Sequence, residues 1–154
     1  MKSIEELVLE HPFFQDIDPA DGRVIAGCAR NVVFKPGELV FKEGERADWF
    51  YCIRSGRLAL ELHAPHGEAL RIDTRQAGDV AGWSWIVPPY RWYCDARAVD
   101  EVHALQFDGA CLRGKMEEDV HLGYALYKRF VPVILRTLQG TRMQLLDVYA
   151  RPGH

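Results

Sequence analysis

Apolar positions change their period twice along this chain, and the changes divide it into three zones. Ile4, Leu7 and Val8 recur at helical spacing, with Ser3 as N-cap and Glu6 three residues on, until His11-Pro12 stops the turn. Phe13, Phe14 and Ile17 extend that apolar surface, and Asp18-Pro19 opens a second helix carrying Val24, Ile25 and Cys28. From Asn31 the pattern becomes strand-like. Runs at Val33-Phe34, Leu39 to Phe41, Trp49 to Ile53, Arg57 to Leu62, Ala69 to Thr74, Tyr93 to Ala98 and Val102 to Phe107 alternate with turns at Gly37, Gly44, Gly56, Gly67 and Gly78. Short, evenly spaced strands without alternating helices predict a mainly β fold with flanking helices. The expected architecture is an antiparallel jelly roll, or double-stranded β-helix, of eight or so strands.

After Asp108 the helical period returns, first from Ala110 to Glu118 and then, capped by Asp119, over a long segment from about Leu122 to Tyr149. Pro132 inside that segment lacks a backbone donor and crowds the carbonyl of Lys128, which predicts a kink or break. Beyond it Leu135, Leu138, Leu145 and Tyr149, with Arg142 between them, fall at heptad-like spacings and predict a homodimer seam. The alternative is a stripe packed only on the chain's own β core. No linker or repeat divides the chain. We expect one domain over 1–154, with N-terminal helices in 3–28, a β roll in 31–108 and C-terminal helices in 109–149.

At 154 residues and 48% hydrophobic content, a single real core is affordable. The net charge of −3 is spread without a Lys/Arg block, which argues against nucleic acid as a partner. Cys28, Cys52, Cys94 and Cys111 are scattered without a Cys-x-x-Cys pair and are read as reduced, mostly buried thiols. The acidic, amphipathic N-terminus does not resemble a signal peptide, and no run approaches membrane-spanning length. A cytoplasmic protein without a membrane partner is expected.

The stretch from Gly78 to Ala98 holds three of the four tryptophans. A glycine turn opening a short apolar segment, closed by Pro88-Pro89, is how a chain builds the wall of a small-ligand pocket. Trp83, Trp85, Tyr90, Trp92 and Tyr93 offer flat apolar faces that suit an aromatic or hydrophobic ligand, oriented by Arg91 or Ser84.

Six motifs are spread along the chain: His11-Pro12-Phe13-Phe14, Phe34-x-Pro36-Gly37-Glu38, Phe41-x-Glu43-Gly44-Glu45, Ala47-Asp48-x-Phe50-Tyr51-x-Ile53-x-x-Gly56, Gly78-Asp79-x-x-Gly82 and Arg97-Ala98. Together they resemble the cyclic nucleotide-binding domain of catabolite-activator-type bacterial regulators. The resemblance covers nearly the whole chain, and with Gly-Trp-Ser-Trp, Pro-Pro-Tyr-Arg-Trp and Asp-Ala-Arg-Ala the chain also resembles a stand-alone subgroup with a divergent phosphate-binding cassette. It implies a hairpin closed at Gly56 and a phosphate-binding cassette after Gly82. It also implies three departures. The glutamate that holds the ribose in nucleotide-binding members is replaced by Trp83. The phosphate-binding arginine falls on Trp92, and its Ser/Thr neighbour falls on Tyr93. Arg91 lies one place early and would serve only if the register shifted, because a one-residue slip points a side chain to the other face. The helix-turn-helix of DNA-binding members would follow the long helix, where only a few residues remain after Tyr149.

The expected ligand set is therefore Gly82, Trp83, Ser84, Trp85, Arg91, Trp92, Tyr93 and Thr141, the last resembling the place where the family's long helix touches its ligand. No catalytic residue, cofactor or metal is called for. His63, His66 and Glu68 span what reads as a hairpin tip rather than a ligand strand, and no Ser/His/Asp or Cys/His arrangement stands out. Asp95 and Arg97, two apart on one strand, are expected to form an ion pair. The favoured reading is a non-catalytic regulatory module sensing a small molecule other than a cyclic nucleotide and passing the signal through its long helix, as a homodimer or to a separate protein partner. One alternative is a structural or interaction domain whose pocket is filled by its own aromatics. The other is a true cyclic nucleotide binder that uses Arg91.

Overall fold

Ser3 caps the first helix as its spacing predicts, its hydroxyl accepting from the Glu6 amide at 3.1 Å. The computed structural model describes residues 1–150, so residues 151–154 of the expected domain lie outside the described residues. Helix α1 covers Ile4–Glu10 and α2 covers Pro19–Ala26, with Asp18 capping the latter and Pro19 in its first turn. Eight strands follow: β1 Ala29–Phe34, β2 Leu39–Phe41, β3 Trp49–Ser55, β4 Leu58–His63, β5 Ala69–Arg75, β6 Val80–Ala81, β7 Asp95–Ala98 and β8 Val102–Asp108. Helices α3, Gly109–Glu118, and α4, Val120–Ala150, close the chain.

The strands form two four-stranded antiparallel sheets, ordered β1-β8-β3-β6 and β2-β7-β4-β5. This is the expected roll of two sheets flanked by helices. The β3/β8 register places Phe50 opposite Phe107, and their rings stack at 4.5 Å on the inner face. Trp85 stacks on Phe50 at 4.9 Å, and Phe130 of α4 meets both rings edge-on at 5.0 and 5.2 Å. Each such pair adds about 0.5–1.5 kcal/mol to the area it buries. Gly56 has φ +83° in the β3–β4 turn, and a Cβ there would lie 2.2 Å from the Glu101 carbonyl oxygen, so only glycine fits.

The N-terminal helices are tied to the roll by His11. Its Nε2 donates to the Ile53 carbonyl at 2.9 Å while its Nδ1 accepts from the Phe13 amide. Burial holds this imidazole below its usual pKa.

Three expectations need correction. The cysteines are not all reduced: Cys28 and Cys111 form a disulfide, with Cα atoms 6.0 Å apart, while Cys52 and Cys94 are free and buried. The pairing of β1 with β8 sets Ala29 opposite Phe107 and so brings together residues 83 apart in the chain, which spacing alone does not disclose. Pro132 does not break α4, which stays helical across it while Leu126 and Phe130 before it and Thr137 after it are buried. Asp95 and Arg97 do not pair with each other. Asp95 accepts from the Glu43 amide and faces His63, whereas Arg97 donates to Glu61 on β4.

Candidate functional site

The glycine turn and β6 set the geometry. Gly78 and Gly82 have φ of +92° and +93°, and between them Val80 and Ala81 pair with Cys52 and Tyr51 of β3. A single 3-10 turn, Ser84–Ile86, follows Trp83, then a cis Pro88-Pro89 bond and Tyr90 with φ +57°. The chain next runs extended along the Gly44–Ala47 loop, bonding through Ala47 N to Tyr90 O, Trp92 N to Glu45 O and Gly44 N to Trp92 O. In an extended run alternate side chains face opposite ways. Trp92 is accordingly buried, and Arg91 is exposed.

Trp92 stacks on Phe41 of β2 with ring centres 3.9 Å apart. Its ring also lies directly on the Gly82 backbone: a Cβ at Gly82 would stand 2.8 Å from it. Trp83 stacks on Tyr93 at 4.8 Å, and the Tyr93 hydroxyl donates to Thr137 Oγ1 of α4 at 3.3 Å. Burial, with Cys94 beside it, pushes the Tyr93 phenol up, so it stays a neutral donor. Trp85 points the other way, into the fully buried core with Phe50 and Phe130. The expected ligand set is thus divided: Gly82 and Trp92 meet at Phe41 of β2, Trp83 stacks on Tyr93, which reaches α4, Ser84 is buried, Trp85 belongs to the core, and Arg91 is exposed.

Thr141 donates to the Thr137 carbonyl of its own helix. The residue one turn earlier holds the site. Thr137 Oγ1 donates to the Val133 carbonyl and accepts from both Tyr93 and Arg75. Arg75, fully buried at the end of β5, also donates to the Val80 carbonyl at 3.2 Å and to Asp73. Arg136 then binds Asp73 and Asp79 at 3.1 Å each and the Thr74 carbonyl. Burial alone would push the Asp73 carboxyl up, but bonds from Arg75 and the Thr74 amide and the charges of Arg75 and Arg136 hold it below its ordinary value. Gly140 lets α4 touch β5, since a Cβ there would lie 2.9 Å from the Ile72 carbonyl oxygen.

Arg75, Asp73, Arg136 and Thr137 escape a reading of the sequence, because a polar residue at a strand end is ordinarily solvated. One signal was present: Arg136-Thr137 interrupts the apolar stripe of α4. Three buried polar atoms in consecutive residues, Trp83 Nε1, Ser84 Oγ and Trp85 Nε1, have no hydrogen-bond partner among the described residues. A cavity of about 220 Å³ sits between the Gly78–Val80 turn and Arg129, Pro132 and Arg136 of α4; Arg75 lines it, and Trp83, Trp92 and Tyr93 do not. Among the described residues no His/Cys/Asp/Glu group is placed to hold a metal ion, and no helix is long and apolar enough to cross a membrane.

A two-sheet roll with a glycine-turn cassette and a long closing helix defines a regulatory domain of the cyclic nucleotide-binding type. The chain belongs to that family: residues 31–119, more than half its length, match the cyclic nucleotide-binding domain model. It is 26% identical over 145 residues to a CRP-like cAMP-activated global transcriptional regulator of Mycobacterium tuberculosis, covering 94% of this chain and 63% of the regulator. The chain therefore spans less than two thirds of that relative. Among solved structures it is similar to a candidate cyclic nucleotide-binding protein of Geobacter metallireducens, at 26% identity and a TM-score of 0.77, covering 90% of this chain and 99% of that one. It also shares its fold with the sensor domain of the transcriptional regulator DNR of Pseudomonas aeruginosa, at 18% identity and a TM-score of 0.69, covering 88% and 91% of the two chains.

Proposed function

We propose that this chain is a non-catalytic regulatory module of the cyclic nucleotide-binding class whose nucleotide site is occupied by its own aromatic side chains, and which acts through α4. The observation that carries the reading is the Trp92 indole lying on Gly82 and stacked on Phe41. The position that supplies the phosphate-binding arginine in the family resemblance holds a buried ring, and Arg91 beside it is exposed. A cyclic phosphate there would meet an indole in place of the guanidinium that the resemblance implies, and Arg75, the buried arginine nearby, is already paired with Asp73.

The output surface is the outer face of α4. Leu135, Leu138, Leu145 and Tyr149 are 51%, 64%, 56% and 73% exposed, with Arg142 exposed among them. Val120, Tyr124, Tyr127 and Val131 are exposed as well and continue the same spacing toward the start of the helix, with one extra step across Pro132. A stripe this long supports a homodimer, with a separate protein partner reading the paired helices.

A second reading has an observation of its own. The buried Trp83 Nε1 and Ser84 Oγ lack acceptors, which favours a small aromatic ligand bearing a carboxylate or carbonyl. A thermal-shift screen with cyclic AMP, cyclic GMP and planar aromatic acids separates these readings, because a ligand that binds only the native state raises its melting point. Silence throughout upholds the filled site. A saturable shift by an aromatic acid that Ser84→Ala abolishes installs the second reading. A cyclic nucleotide shift lost in Arg91→Ala overturns both.

A further inference from the structure

We infer that Cys28 and Cys111 form a reversible thiol–disulfide site, exchanged with a low-molecular-weight thiol such as glutathione, that governs how firmly α3 is joined to the N-terminal helical layer. The two sulfurs are bonded across 83 residues of chain, and they join two layers that meet nowhere else by covalent bonds. Cys28 lies between α2 and β1, its carbonyl accepting from the Asp108 amide at 2.9 Å. Cys111 lies in the first turn of α3, its amide donating to the Asp108 cap at 3.0 Å.

Access and reactivity differ between the cysteines. Cys111 is half-buried, whereas Cys28 is 9% exposed, so an incoming thiolate meets the Cys111 sulfur first. That attack forms a mixed disulfide on Cys111 and releases Cys28 as a thiolate. A second thiolate then attacks the small-thiol sulfur of the mixed disulfide and releases Cys111. The net change is one protein disulfide and two small thiols converted to two protein thiols and one small disulfide, and the reverse uses the oxidised small disulfide. The amides of the α3 N-terminus favour the Cys111 thiolate as a leaving group, against the opposing charge of Asp108. Cys52 and Cys94 are buried thiols that desolvation pushes up, Cys94 to about 12, so they take no part. In the cytoplasmic setting expected from the sequence, a disulfide is usually transient rather than permanent.

Helix α3 is placed to pass the change on. Two residues after Cys111, Arg113 donates to the Trp85 carbonyl at 2.6 Å and lies over the Tyr90 ring at 4.2 Å, so α3 holds the cassette. At its other end α3 abuts α4, where a Cβ on Gly123 would stand 3.3 Å from the Met116 carbonyl oxygen. Opening the disulfide releases the one covalent tie on a helix that touches both the cassette and the output helix.

The test equilibrates the purified chain with graded ratios of reduced to oxidised glutathione, tags free thiols with a mass-shifted maleimide, and follows amide hydrogen exchange. Cys28 and Cys111 should titrate together and reversibly in the native protein while Cys52 and Cys94 stay untagged. Amides of residues 109–118 should exchange at least about tenfold faster in the reduced form. Cys111→Ser under oxidising conditions should reproduce the fast exchange, and because reduction alone reads out on the unmutated chain, a poorly folding variant does not block the test. The proposal is overturned if the pair resists a large excess of reduced glutathione, never forms under oxidised glutathione, or opens without changing exchange in α3.

Discussion

The two halves of α4 meet the roll by different physics. Before Pro132 the helix drives Leu122, Leu126 and Phe130 into the core, where all three are essentially inaccessible. After it, Val133 packs only partly against the core and Thr137 is the one fully buried residue, so contact is made largely by polar bonds from Arg136 and Thr137 and by the close approach at Gly140. The first half is fixed by apolar area, which is not directional and costs several kcal/mol to expose. The second is held by a few bonds of about 1 kcal/mol each, with its opposite face apolar and open. A helix built this way keeps its root while its far end answers to what covers it.

The comparison is broken most severely at the root. Phe130→Ala should cost about 3–5 kcal/mol, because its ring touches Trp85, Phe50 and Phe13 in a packed core. Chemical denaturation checks this, and a loss below about 1 kcal/mol would mean that the root is not anchored there. At the far end Leu138→Glu with Leu145→Glu should convert a dimer to a monomer by light scattering and cost only the stability that dimerisation adds by mass action. An unchanged mass, or a wild type already monomeric, removes the seam.

Thr137→Val sharpens the contrast by leaving the Tyr93 hydroxyl and one Arg75 nitrogen without their acceptor, at a cost of about 1–3 kcal/mol. Arg136→Ala should cost less, about 0–1 kcal/mol, since its pairs are partly solvated. Both should speed amide exchange after residue 133 and leave 122–130 protected. Equal loosening of the two halves would erase the distinction.

The smallest effect concerns pH. His11 is buried neutral with a lowered pKa, so below about pH 6.5 the unfolded chain takes up the proton first, and stability should fall as pH drops from there. Asp73, whose pKa is also lowered, loses its contribution only further down, as pH falls through the carboxylate range. His11→Gln should flatten the melting curve between about pH 6.5 and 5.5 while leaving the more acidic decline in place.

The roll was legible because its signals are local. Glycine turns at Gly37, Gly44, Gly56 and Gly78 punctuate the strands at the places their spacing predicts, and every N-cap named from the sequence is used. The site was legible in part. Trp92 and Tyr93 fall on opposite faces of an extended run, as their spacing predicts, but alternation says nothing about which way a side chain leaves a 3-10 turn. Trp83 and Trp85 therefore looked equivalent, although one stacks on Tyr93 and the other fills the core. Thr137 escaped the reading that named Thr141 because the two lie on one helix face, and only the seating of α4 on β5 at Gly140 decides which turn bonds Tyr93 and Arg75. The Cys28–Cys111 bond depends on the β1/β8 register, a contact between opposite ends of the chain.

The most direct measurement of the central claim is a calorimetric titration of the purified chain with cyclic AMP and then cyclic GMP, followed by the same titrations of Trp92→Arg. The account predicts no saturable heat from the wild type, because the Trp92 ring occupies the space against Gly82 and Arg75, the buried guanidinium nearby, is already engaged by Asp73, Thr137 and the Val80 carbonyl. Saturable binding of either nucleotide by the wild type would contradict it, whatever the variant does.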